Sequence, residues 1–361
     1  MITHRDHFHG SDLEKIEKIY HIKKEDIVSF SANVNPLGIS PRLKEELSDH
    51  IDCISSYPDR EYTALRAAIG RYLSTDPSNI IVGNGSTELI SLFIRITHPS
   101  RALILGPTYS EYEREITMQG GHSSYYPLRA SLDFKLDIED FTGKLNNDID
   151  LIILCNPNNP TSGCIGRDEL RIILDVCKEH DIYAMIDETY IEFLEDSTGS
   201  TAIPLTAYYN NLIILRGTSK FFASPGLRLG YAITGNEHLL HEINQHKNPW
   251  MINSLAEIAG TIMFSDTDYI NKTRELISAE RKRMSEKYAS GGFKVFAPTA
   301  NFMLLRIEDE SLKSSDLFDR AIREKMMIRD CSTFPFLSDR YIRICYMLPE
   351  DNDRLYECLT R

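Results

Sequence analysis

Residues 151 to 190 read LIILCNPNNPTSGCIGRDELRIILDVCKEHDIYAMIDETY. An unbroken apolar run, Leu151 to Cys155, stops on two prolines and three asparagines between Asn156 and Pro160, gives way to a helix-like segment over 168 to 179, and resumes as Ile182 to Ile186 before ending on Asp187. Short runs that are apolar throughout, without alternation, are strands covered on both faces, and a helix between two of them makes the crossover of a parallel pair. The same pattern extends in both directions. Ile80 to Val82 and Ala102 to Leu105 precede the segment, and Leu212 to Leu215 and Leu229 to Ile233 follow it. The chain is therefore expected to be α/β, with a mostly parallel central sheet and helices on both sides.

The flanks read differently. Residues 11 to 24 form a short charged helix, 28 to 40 an extended loop turning near Pro36 and Gly38, and Pro41 opens a helix to about His50. Leu65, Ala68, Ile69 and Tyr72 share one helical face. A long helical pattern from Ser254 to Tyr288 leads through Gly291-Gly292 to strand-like runs at Val295, Phe302 to Ile307, Met327 to Arg329 and Tyr341 to Cys345. This predicts an N-terminal arm over 1–40, a large domain over 41–255, and a linking helix with a small α+β domain over 256–361. There is no internal repeat and no low-complexity linker.

Composition narrows the functions. The 361 residues carry 40 Lys plus Arg against 53 Asp plus Glu, a formal charge of -13, which disfavours a nucleic-acid binder that works by neutralising phosphates. With 42 % hydrophobic residues the chain has the material for a folded core. No run approaches the ~20 apolar residues of a membrane span, and Met1 to Gly10 lacks the apolar stretch of a signal peptide, so a cytoplasmic protein without membrane association is expected. Seven scattered cysteines form no CxxC pair and the histidines show no HExxH spacing, so neither a disulfide framework nor a metal site is expected.

Four loops fall beyond strand carboxyl ends, where α/β folds place ligand groups. Gly83-Asn84-Gly85-Ser86-Thr87-Glu88 is either a tight turn with a Ser or Thr cap or a nest whose free amides hold a phosphate. Asn156 to Gly163 shapes a turn, and an asparagine fixed there can donate to a ligand oxygen. Asp187, ending a buried strand, needs a donor or a cation. Lys220 in RGTSK follows another strand, and loss of solvation there would free its amine as a nucleophile, although a lone lysine is more often surface charge. Taken together they supply an amine, an amide nest with the arginine of PGLR, a carboxylate and an amide donor. That set suits an aldehyde cofactor bearing a phosphate, a ring nitrogen and a phenolic oxygen.

From FSANVNPLG through NPNNPTSG, DETY and SK to RYIRICY, the chain resembles the fold-type I pyridoxal phosphate enzymes of the class I/II aminotransferase superfamily. It looks most like the histidinol-phosphate aminotransferases and the threonine-phosphate decarboxylases. The resemblance implies an aspartate-aminotransferase-like fold and pyridoxal 5'-phosphate as cofactor. It implies that Lys220 carries the cofactor and moves the proton, that Asp187 pairs with the ring nitrogen, and that Tyr109 stacks on the ring. Asn159 and Tyr190 would bond the ring oxygen. Gly85, Ser86, Thr87, Ser219 and Arg228 would hold the phosphate, with Tyr57 reaching it from the other subunit of a homodimer. Arg343 would clamp the substrate carboxylate and Arg329 a distal phosphate. The loop from Asn33 to Leu37 would close over the site, which makes the arm over 1–40 a substrate-covering segment, and His9-Gly10 would lie near substrate. Relatives usually carry a serine or threonine where this chain has Gly217; either Thr218 or a water replaces that hydroxyl, or cofactor affinity is lower.

Both reactions use the same cofactor contacts and differ in which Cα bond stands perpendicular to the ring. The HFHG start, Pro249-Trp250 and RDCSTFPFLSDRYIR resemble the decarboxylases. The expectation is decarboxylation of L-threonine O-3-phosphate to aminopropanol phosphate, a step of cobalamin biosynthesis, with aminotransfer on histidinol phosphate or a related phosphorylated amine as the alternative. A cofactor-binding regulator ranks lower because Lys220, Asp187 and Arg343 are all present. A dinucleotide-dependent dehydrogenase is disfavoured because no GxGxxG follows a first strand.

Overall fold

A computed structural model describes residues 10–361. Its thirteen strands are β1 (Val28–Ser29), β2 (Ile80–Asn84), β3 (Arg101–Gly106), β4 (His122–Pro127), β5 (Leu151–Cys155), β6 (Tyr183–Asp187), β7 (Leu212–Gly217), β8 (Leu229–Ile233), β9 (Phe293–Val295), β10 (Phe302–Ile307), β11 (Met326–Met327), β12 (Arg329–Asp330) and β13 (Tyr341–Cys345). Seven of them form the central sheet in the order β2-β8-β7-β6-β5-β3-β4. All its neighbours pair in parallel except β8, which is antiparallel to both β2 and β7.

The unbroken apolar runs have the expected cause. In β5, Ile152 and Leu154 pack into one core while Leu151, Ile153 and Cys155 pack into another on the opposite face; β7 divides in the same way between Leu212 and Ile214, and Ile213 and Leu215. Helices Ser86–Thr97, Glu111–Met118 and Glu237–His246 cover one face, and Thr63–Leu73, Arg167–Glu179 and Ser254–Met263 the other. Each buried Leu or Ile contributes ~1.5–3 kcal/mol relative to exposure, so a strand apolar on both sides is stable only when both covers are present.

A second, antiparallel sheet runs β12-β13-β10-β9. β1 pairs in parallel with β11, and the chain after it runs on toward the central sheet: Cys345 donates its backbone amide to the Phe30 carbonyl, and Asn35 donates to the carbonyl of Lys220. Residues 28–35 thus span from one sheet to the other.

Three elements differ from the sequence reading. The helical pattern from Ser254 to Tyr288 is two helices, Ser254–Met263 and Thr267–Ser290, because Asp266 caps the second by accepting from the Tyr269 amide. The run Met327 to Arg329 divides between β11 and β12, which pair with different strands, β1 and β13. β4, HSSYYP, has no apolar run to announce it: it lies at one edge of the sheet and only Tyr126 is buried.

Candidate active site

The cluster is built on adjacent strand ends. β5, β6 and β7 end beside one another, with Cys155 opposite Asp187 and Asp187 opposite Leu215. Asp187 is buried at 5 % exposure. Its Oδ1 accepts from the Thr189 amide at 2.9 Å and the Thr189 hydroxyl at 2.6 Å, and its Oδ2 accepts from the Tyr112 hydroxyl at 2.6 Å. All three donors are neutral. Tyr112 lies in turn edge-on to Tyr109, with ring centroids 5.5 Å apart.

Lys220 follows β7 and donates from Nζ to the Ala32 carbonyl at 2.7 Å. Burial, followed by the positive charge of Arg343 and then of Arg228, lowers its ammonium to about 8. At neutral pH roughly a tenth of the amine is then unprotonated, hundreds of times the fraction of a solvated lysine.

The phosphate-nest candidates also come together. Gly85, with φ of +80°, caps the helix Ser86–Thr97, and a Cβ placed on it would lie 2.4 Å from Nη2 of Arg228. Gly230 presses as closely, its would-be Cβ 2.3 Å from the Ser86 amide nitrogen. The Arg228 guanidinium donates to the carbonyls of Pro225 and Asn84, at 3.3 and 3.5 Å. A cation over a helix N-terminus is an arrangement that suits an anion. Tyr109 is electrostatically coupled to Asp187 and Arg228 and bonded to the Thr87 side chain, which joins nest and carboxylate into one cluster. Ser219 is half-buried. The Thr218 hydroxyl does not replace the one missing at Gly217: it is buried, donates to the Leu229 carbonyl and accepts from Ser224.

On the opposite side, Arg343 is buried in β13 at 5 % exposure, bonded through Nη1 to Asn159 Oδ1 and through Nη2 to the Ser31 carbonyl, and stacked over Phe302. Because Oδ1 of Asn159 is engaged, its amide nitrogen is the end left to donate. Tyr190 accepts from Asn33 Nδ2 at 3.3 Å. Arg329 is the direct cross-strand partner of Arg343, bonded to Thr333 and lying over Phe334. Ser31, Asn33 and Asn35 are buried, whereas Leu37 is exposed. Gly10 lies against Ser31, where a Cβ would meet the carbonyl oxygen at 2.5 Å. His9 lies outside the described residues. Tyr57 is remote from this cluster's interior: it is 80 % exposed and packs on Trp250.

Sequence reasoning missed Tyr112, Thr189 and the carbonyls of Ala32 and Ser31. Thr189 had a signal, since Asp-x-Thr is the spacing at which a carboxylate bonds the amide two residues on. It also missed Arg216 and Glu188, a buried pair at 2.7 Å that joins the ends of β7 and β6 directly beside Gly217 and Asp187.

Fold and site together define an α/β enzyme suited to a phosphorylated cofactor with a cationic ring. The family model for aminotransferase class I and II matches residues 25–359, and the chain belongs to that family. It is 33 % identical over 352 residues to the threonine-phosphate decarboxylase of Salmonella typhimurium, covering 97 % of this chain and 95 % of that protein. It is 29 % identical over 361 residues to the histidinol-phosphate aminotransferase of Methanocaldococcus jannaschii, covering 97 % and 93 %. The crystal structure of the histidinol-phosphate aminotransferase from Clostridium acetobutylicum superposes with a TM-score of 0.85 at 34 % identity, covering 91 % of this chain and 97 % of the other. The cofactor is pyridoxal 5'-phosphate. The residues present suit it. A buried carboxylate held by three neutral donors, with no cation within 4 Å among the described residues, matches a protonated ring nitrogen. The glycine cradle under Arg228 matches its phosphate. Among the described residues no group of three or more potential ligands could hold a metal ion, and no helix is long and apolar enough to cross a membrane.

Proposed function

We propose that the enzyme acts on a small amine or amino acid bearing a remote phosphate, and one observation carries this reading. Arg329 and Arg343 stand directly opposite each other across an antiparallel pair, so both side chains project from the same face. Like charges so placed repel, and burial together with Arg343 lowers the Arg329 pKa from its ordinary value. A substrate carrying a phosphate dianion, with or without a carboxylate beside it, relieves that repulsion. Asp187 keeps the ring nitrogen protonated, Lys220 holds the cofactor and moves a proton at the substrate Cα, and Arg343 grips an anionic group beside Asn159. The cofactor, when bound, supplies an electron sink for the bond broken at Cα.

Of the two reactions, transamination of histidinol phosphate or a related phosphorylated amine has the broader support, since aminotransferases are the more numerous relatives and one superposes at a TM-score of 0.85. This reverses the order given by the sequence alone. Decarboxylation of phosphothreonine, the cobalamin-pathway reading, is favoured by the 33 % identity to the Salmonella typhimurium decarboxylase. Product assays with both compounds separate the two. Turnover of histidinol phosphate that requires a keto-acid acceptor supports transfer, whereas carbon dioxide release from phosphothreonine without an acceptor overturns it in favour of the lyase.

The proposed active form is a cytoplasmic homodimer of chains divided at about residues 40 and 255, with Tyr57 crossing to the partner's cofactor phosphate. The exposure of Ile51, Ile54 and Tyr57, at 51, 66 and 80 %, supports a covering subunit there. Full activity from a monomer in sedimentation would remove that role.

A further inference from the structure

A cavity of about 340 Å³ lies away from the Lys220 cluster, between the start of helix Thr63–Leu73 and the loop after helix Glu237–His246. Arg60, His241, Lys247 and Trp250 line it, along with the amides of Asn244, Gln245 and Asn248. The charge pattern is unusual for a protein with a net charge of -13. Neither Arg60 nor Lys247 has a carboxylate within 4 Å among the described residues. Lys247 is half-buried, and its charged neighbours are Glu61, Arg66 and Arg60, two cations to one acid. Burial is the first cause lowering its pKa. A cationic cavity wall with amide donors and no internal counter-ion is a place where an anion gains charge-assisted bonds.

The wall is also held in a costly shape. Tyr62 and Trp250, both bulky, have φ of 50° and 53°, the left-handed region that side chains of this kind rarely occupy. Strain of this sort persists where surrounding contacts enforce it, and it gathers at ligand clamps. The enforcing contacts are present: the Tyr62 hydroxyl donates to the Ile252 carbonyl at 3.3 Å and accepts from the Ile252 amide at 3.1 Å, fixing the loop that carries Lys247 and Trp250.

We infer that this cavity is a second anion site, which takes a dianionic phosphate, free or as a small monoester, between Arg60 and Lys247. The site does not depend on which reaction the enzyme performs. Trp250 is the chain's single tryptophan, so its fluorescence reports this cavity and the Tyr57 ring packed against it, and an Arg329→Gln variant separates the cavity from the substrate site.

The test titrates the holoenzyme with inorganic phosphate and, separately, with glycerol 3-phosphate, which has no amine to react at the cofactor, while Trp250 emission is read. A saturable change is expected, and the tighter of the two titrations identifies the source of the phosphate. Arg60→Gln combined with Lys247→Gln should weaken it by ~tenfold or more, Lys247→Arg should titrate like the parent, and Arg329→Gln should leave it unchanged. A flat emission trace for both probes overturns the site. So does equal loss in Arg329→Gln, which would place the anion in the substrate site, and so does dissociation of an oligomer in the double variant without any titration, which would assign the two cations to the face of a second copy.

Discussion

The two walls of the active site are made of different material. The wall on the central sheet presents side chains: Asp187, Lys220, Tyr109 and Arg228 each stand at or just beyond a strand end and offer a charged or aromatic group. The opposite wall, formed by residues 31–35 and the small sheet, contributes mostly backbone. Ala32 accepts from Lys220 and Ser31 from Arg343 through carbonyls, and Asn33 accepts from Asn301 in the same way. The first wall supplies chemistry and the second fixes where that chemistry points. Substitution should therefore abolish function on the first wall and misdirect it on the second.

The largest effect belongs to Lys220→Ala. It removes the amine and leaves Ala32 without its donor, so turnover should fall by at least ~10³-fold. Borohydride treatment followed by mass spectrometry should find no cofactor linked to the chain. A linkage that survives at another lysine would break the assignment of this wall.

Arg343→Gln ranks next, because Arg343 touches both walls through Asn159 and Ser31. The KM for an anionic substrate should rise by ~10–100-fold. The pH response has a definite sign. Only the neutral amine of Lys220 attacks an aldehyde, and that fraction grows as pH rises through the folded pKa of about 8. Cofactor loading of apoenzyme, followed by visible absorbance, should accelerate with a midpoint near pH 8 and level about a pH unit above it. Removing the Arg343 charge favours the ammonium, so the midpoint should move upward and loading near pH 7.5 should slow. An unmoved midpoint would show that the positive charge of the second wall does not reach the first.

The same difference decides how much could be read beforehand. Strands β5, β7 and β8 were legible because they are apolar on both faces, and Asp187 and Lys220 because a charge at the end of such a strand demands a reason. A carbonyl oxygen carries no residue signature, so the roles of Ala32 and Ser31 could not be seen in FSANVNPLG, and β1 is only two residues long. β4 was hidden because only Tyr126 in it is buried. Tyr112 was missed because its partner lies 75 residues away, a pairing that only the folded sheet creates.

The smallest effect sharpens the comparison at Gly217, in the first wall. A Cβ there would meet the Leu229 carbonyl at 3.7 Å and the Ser86 hydroxyl at 3.8 Å, ordinary contact distances, so a serine fits without moving the backbone. Its hydroxyl would lie beside Ser86, at the start of the nest, adding one donor to a phosphate for which Arg228 and the helix terminus are the proposed partners. An added bond to a charged group that has other partners gives ~1 kcal/mol, so Gly217→Ser should tighten cofactor retention by about threefold to tenfold in a dilution-release assay, with turnover nearly unchanged. Weaker retention would mean that the space beside Ser86 is needed empty, and that the glycine is part of how this wall accepts its cofactor and not a missing hydroxyl.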